Sequence, residues 1–166
     1  MFGRYYAPVD SAKRVGSMTA IEGQLVSGLG QAAGFTQIEW VRRQLVELAG
    51  IDPHPGTVNL RLTDPINLMR WRRWRDSPGY RMDPPDAANC SARCYPVQIA
   101  GRVPGAVVLP EVADYPEEKM ELVAALALRQ PLALDEGARI GVALCLPFAA
   151  QAVLFDIDGT LVDSVG

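Results

Sequence analysis

The sequence predicts a mainly β fold, a small barrel of about six or seven short strands with one or two helices. Glycine and proline are plentiful, at 15 and 13 of 166 residues, which suits short strands and tight turns better than a helix bundle. The apolar segments are short and repeatedly punctuated by turn-forming residues. A clear helical spacing of apolar residues occurs over one stretch, from Ile38 to Leu48.

The elements follow in order. Residues 1–19 read as an N-terminal extension, with Met18 a candidate alternative start, and the barrel domain is placed at residues 20–147. Ala20 to Leu29 is a first strand ending in glycine punctuation. Phe35 and Thr36 introduce a helix in which Ile38, Val41, Leu45 and Leu48 share a face, with Arg42, Arg43 and Glu47 opposite. Gly50 sits where a C-terminal cap belongs, and Pro53 prevents continuation. A strand runs from about Thr57 to Leu62. Pro65 to Arg81 has two readings, because Met69-Arg70-Trp71-Arg72-Arg73-Trp74-Arg75 interleaves cations and indoles. One is a stacking and phosphate-binding patch for single-stranded nucleic acid. The other, preferred because the rest of the chain is not basic, is an exposed strand or hairpin whose tryptophans cover the core edge. Asp83 to Asn89 is a loop. Cys94–Ala100 and Val103–Leu109 are paired strands around a turn at Gly101. Glu117 to Ala125 is expected to be a short helix, opened by Pro116 with acidic residues at its positive end. Leu126 to Leu134 is mixed, Asp135-Glu136-Gly137 is a turn, and Arg139 to Leu146 is a strand.

The net charge of −3 argues against duplex nucleic acid or an anionic membrane as partner. No apolar run reaches membrane-span length and the N-terminus has no signal-like core, so the expected location is cytoplasmic. Cys90, Cys94 and Cys145 are too few for a disulfide framework, and a zinc site would lack ligands, since the sole histidine is His54.

Chemistry concentrates in His54-Pro55-Gly56-Thr57-Val58-Asn59. A Pro-Gly turn delivers a hydroxyl and an amide, two residues apart, onto the start of a strand, where alternate residues share a face. Two neutral oxygens suit Mg²⁺, which takes the rest of its shell from water and substrate phosphates. Taken alone, the segment is also an ordinary turn. Gly28-Leu29-Gly30-Gln31-Ala32-Ala33 can offer backbone N–H groups to a phosphate, or is simply a glycine-rich strand end.

Taken in order, Gly23 to Phe35, the His54–Leu62 segment, Gly105 to Pro110, Tyr115-Pro116, Glu121, Leu126 to Arg129 and Leu134 to Gly137 resemble the CTP-dependent riboflavin kinases known mainly from archaea. The similarity covers about residues 21–144. The resemblance implies a closed β-barrel of the cradle-loop type, and phosphoryl transfer from CTP to riboflavin giving FMN and CDP. By resemblance Thr57 and Asn59 ligate Mg²⁺. Gly28, Leu29, Gly30, Gln31, Ala32 and Ala33 form one nucleotide-binding segment; Leu126, Ala127, Leu128 and Arg129 form a second that reads cytosine through its backbone. Glu121 contacts the flavin and is the one carboxylate to test as a catalytic base. Ala113 falls on a flavin-contacting position where the family carries threonine. Gln31-Ala32-Ala33 replaces an acidic residue, a glycine and a basic residue, and Ala125 replaces a proline. The implied partners are these small molecules.

The last segment differs in kind. Ala152-Val153-Leu154-Phe155-Asp156-Ile157-Asp158-Gly159-Thr160 resembles the first motif of the haloacid dehalogenase superfamily, in which the first aspartate is the nucleophile and the second a general acid/base. This implies roles for Asp156 and Asp158, but the superfamily's other motifs are not in the sequence. Residues 150–166 are therefore expected to be the start of a truncated second domain, its phosphatase motif vestigial. Two alternatives stand beside the kinase. A longer protein would be a phosphoglycolate phosphatase-like enzyme with the barrel as a nucleotide or flavin sensor, or the barrel is a non-catalytic binding module.

Overall fold

The computed structural model describes residues 20–27 and 32–145. In chain order these form β1 (Ala20–Val26), α1 (Ala32–Phe35), α2 (Glu39–Ala49), β2 (Val58–Arg61), α3 (Pro65–Asp76), β3 (Tyr80–Met82), β4 (Ala92–Ile99), β5 (Val103–Pro110), β6 (Lys119–Ala124) and β7 (Arg139–Leu144). The strands run β4-β5-β6-β2-β1-β7 around a barrel, and β7 closes it by pairing back onto β4. The described pairings are antiparallel. The fold is the mainly β, six-stranded closed barrel with helices expected from the sequence. β3 is an outrigger: it pairs with Ala92–Cys94, whereas β7 pairs with Val97–Ile99 further along the same strand.

Closure explains the burial pattern. Ile21 and Leu25 of β1, Leu60 of β2, Val107 of β5, Met120 and Leu122 of β6 and Ile140 of β7 fill the interior. A second cluster lies outside the barrel, where Trp40, Val41 and Leu45 of α2 cover Cys94, Ala106, Val108 and Val123. β5 is therefore buried on both faces along most of its length. Burial pushes the Cys94 thiol up to about 12, so it remains a neutral packing group.

Several expectations are corrected. Glu117 to Ala125 is not a helix. Lys119–Ala124 is the strand β6, paired to both β2 and β5. Met120, Leu122 and Ala124 alternate into the barrel interior, and this period-two burial prevails over the local helix-start signal at Pro116. Pro116 closes a turn instead, with the Lys119 amide donating to its carbonyl at 3.3 Å.

Pro65–Asp76 is neither strand nor hairpin but the helix α3. Asp64 caps it by accepting from the amides of Ile66 and Asn67, each at 3.0 Å, and Pro65 occupies the first turn. Trp71 and Trp74 face the core at 0% and 5% exposure, edge to face with centroids 6.2 Å apart. The indoles are thus unavailable as a stacking platform, while Arg72 and Arg73 lie exposed between them.

The α2 helix starts at Glu39 rather than near Phe35, which ends the one-turn α1. Ile38 becomes an exposed cap residue, and Trp40 takes a buried place beside Val41 and Leu45. Gly50 ends the helix in the left-handed conformation, φ +69°, as its capping role requires. The motif strand is shorter than expected, Val58–Arg61. The N-terminal extension, Gly28 to Gln31, and the aspartate motif at Asp156 and Asp158 lie outside the described residues.

Candidate active-site cleft

The site is built around the turn entering β2. Gly56 adopts φ +104°, a conformation that a side chain resists. Its amide donates to Thr36 Oγ1 at 2.9 Å, and the His54 amide donates to the Ala124 carbonyl at 2.8 Å. The turn is thus held from two sides before Thr57 and Asn59 follow it. Thr57 Oγ1 and Asn59 Oδ1 are both buried without a hydrogen-bond partner, and Asn59 is 6% exposed. Such orphans are costly and are normally satisfied. Trp40 and Trp71 also carry unpartnered indole nitrogens, but each sits within its own apolar cluster. At Thr57 and Asn59, two oxygens belong to one turn and strand.

A cleft of about 180 Å³ opens beside this turn, lined by residues 54–58, Leu122, Ala124 and residues 126–129. It brings Thr57 together with the segment Leu126 to Arg129, far apart in sequence. Leu128 turns its side chain into the core at 3% exposure, which pins the segment, whereas Leu126 is 40% exposed. The carbonyls of Leu128 and Arg129 accept from the Leu132 and Leu134 amides at 3.2 and 2.8 Å.

Arg129 reaches Glu136 at 3.8 Å. Glu136 in turn accepts from the Ser27 amide at 2.7 Å and the Ser27 hydroxyl at 2.9 Å. These Ser27 hydrogen bonds, with Arg129 adding to them, hold the Glu136 carboxyl below its ordinary range. The contacts join the end of β1, where the Gly28–Ala33 segment begins, to the second segment.

On the other side of Asn59, across the β2–β6 pairing, lies Glu121. Direct cross-strand partners share a face, so Glu121 belongs to the same surface as Asn59. Its Oε1 meets Lys119 Nζ at 2.5 Å and accepts from Tyr115 Oη at 3.2 Å. Lys119 and Arg75 also lie over the Tyr115 ring, at 5.4 and 6.0 Å. Burial, followed by the Glu121 charge, pushes the Tyr115 hydroxyl up, which keeps it a proton donor. Ala113 sits apart in the exposed β5–β6 turn, two residues ahead of Tyr115.

Sequence reading missed Thr36, Ser27, Lys119 and Glu136 as site residues. Each acts through a partner supplied by the fold. The Asp135-Glu136-Gly137 turn was visible, but its tie to Ser27 spans 109 positions. Among the described residues, no group of three or more His, Cys, Asp or Glu side chains gathers to hold a metal. A cation here would rest on neutral oxygens and a ligand's phosphates. No described helix is long and apolar enough to cross a membrane.

Comparison with known proteins places this geometry in context. A family model labelled for CTP-dependent riboflavin kinases, and described as a domain of unknown function, DUF120, matches residues 25–144. A riboflavin kinase of Methanocella arvoryzae is 32% identical over 129 residues, 78% of this chain and 58% of that protein. The riboflavin kinase of Pyrobaculum islandicum is 34% identical over 132 residues, 76% of this chain and 60% of that protein. That of Saccharolobus solfataricus is 33% identical over 121 residues, 70% of this chain and 69% of that protein. The chain spans just over half the length of the first two relatives.

Proposed function

The chain belongs to the CTP-dependent riboflavin kinase family, and from that premise we propose that it phosphorylates riboflavin. The terminal phosphoryl group of CTP passes to the terminal ribityl hydroxyl, giving FMN and CDP. The observation that carries this reading is the pair of buried, unpartnered oxygens at Thr57 and Asn59, beside the Leu126–Arg129 cleft and on the face of Glu121. A kinase needs a phosphate-bound cation and a held acceptor meeting along one line. Thr57 and Asn59 would serve the cation, and Glu121, on the same face as Asn59, the acceptor.

The donor set fits Mg²⁺. Thr57 Oγ1 and Asn59 Oδ1 would hold it, and when bound it would neutralise charge on the phosphate oxygens. The remaining work belongs to the chain. The Leu126–Arg129 segment takes the nucleotide. Because its last two carbonyls are already engaged, the carbonyls of Leu126 and Ala127 and the amides of the segment are the backbone groups offered to a cytosine edge. Arg129 supplies a cation in the cleft, released from Glu136 as phosphate arrives. Glu121 and Tyr115 orient the acceptor. Lys119 and Tyr115 both engage Oε1 of Glu121, so Oε2 is the oxygen for a ligand. Catalysis is positioning and electrostatic stabilisation, without a covalent enzyme intermediate.

The test is FMN formation from riboflavin, CTP and Mg²⁺, compared between the wild type and Thr57→Val. The expected outcome is Mg²⁺-dependent FMN in the wild type and none in the variant. Equal activity in both removes the metal site from the mechanism.

A further inference from the structure

We propose that Thr36 is a positioning residue for the two metal-facing oxygens, an inference that rests on the metal reading above. Thr36 is 0% exposed, and its Oγ1 accepts from the Gly56 amide at 2.9 Å. It lies just past α1 and packs no charge of its own. Gly56 is the hinge of the turn, with φ +104° and nothing within 4 Å of a Cβ placed on it. The hydrogen bond to Thr36 fixes the Gly56 amide on this side of the turn. On the far side, the His54 amide is tied to Ala124 on β6. The next residue after Gly56 is Thr57, whose hydroxyl is orphaned and buried.

Freeing the Gly56 amide frees the orientation of Thr57 relative to Asn59, which β2 fixes through its pairing with Glu121. Two weak neutral ligands bind a cation usefully only when preorganised. Thr36 also directly follows α1, whose first two residues, Ala32 and Ala33, end the Gly28–Ala33 segment. A single hydroxyl thus links the nucleotide-side chain segment to the metal turn.

The test reads metal occupancy directly rather than turnover. Mn²⁺ is titrated into the full chain saturated with CTP, without riboflavin, and paramagnetic broadening of the Thr57 and Asn59 resonances is followed. In the wild type those resonances broaden first. Thr36→Val, which keeps shape and loses the acceptor, should need about three- to tenfold more Mn²⁺ for half-broadening. Thr36→Ser, which restores the oxygen, should match the wild type. Should Thr36→Val fail to fold, Thr36→Ala is read by the same criterion. Half-broadening unchanged in the oxygen-less variant overturns the role of Thr36 while leaving the metal site standing. Thr36→Ser behaving like Thr36→Val overturns it too, because packing of the methyl would then be what matters. Wild-type resonances at Thr57 and Asn59 that never broaden remove the metal reading and this role together.

Discussion

At the scale of single residues, the site is a set of small groups held by hydrogen bonds from afar. Asn59→Leu removes the amide oxygen at similar volume. Because changing even the outer partners of a metal ligand typically costs 10- to 100-fold, this loss of a proposed ligand should lower transfer by more than about a hundredfold. Denaturant unfolding of that variant should show a fold of near wild-type stability, since an orphaned buried oxygen is removed rather than a satisfied one. Gly56→Ala meets no steric obstacle but must adopt φ +104°. Urea unfolding should show a loss of about 1–2 kcal/mol. Thr57, Asn59 and Gly56 stood out in the sequence because a Pro-Gly turn into a strand is a local pattern. Thr36 did not, since its partner lies 20 positions away and nothing near it in sequence marks it.

At the scale of elements, the strand pair β4–β5 and helix α2 were legible because their periodicity and punctuation are local. α3 and β6 were not. In α3 the cations interleaved with Trp71 and Trp74 masked an amphipathic helix, although the Asp64-Pro65 start was present to be read. In β6, Pro116 and the acidic residues imitated a helix start, and only the pairing with β2 and β5 decided the matter. Trp71 is fully buried against Trp74 and Tyr95. Trp71→Ala should therefore cost about 3–5 kcal/mol in chemical denaturation, an effect that a surface stacking residue would not show. The β1 end is joined to the β7 approach by Ser27 and Glu136. The folded-state pKa of Glu136 is depressed, so its contribution is complete above the ordinary glutamate value and fades as pH falls through the folded one. Glu136→Gln should flatten the acid limb of thermal stability below the ordinary glutamate pKa of about 4.3, and a limb identical to wild type would show that the contacts are not made in solution.

At the scale of the whole molecule, closure of β7 onto β4 makes the site possible. It fixes β2 between β1 and β6, so that the turn, the Leu126–Arg129 segment and Glu121 meet around one strand. The barrel class was readable from composition and punctuation, because many short apolar segments with plentiful turns have few other ways to bury themselves. Which segments meet was not readable from these signals, since it depends on register across the sheet. The order of the motifs carried that information only through resemblance to a family. On the proposed function, this cleft selects CTP and delivers its phosphoryl group to riboflavin. The most direct measurement incubates the chain with riboflavin and Mg²⁺ and, separately, CTP, ATP, GTP and UTP, and quantifies FMN. FMN should form with CTP at a rate well above the other nucleotides, because a site shaped to one base leaves polar groups unpaired with another. Equal rates with CTP and ATP, or no FMN with any of them, would contradict it.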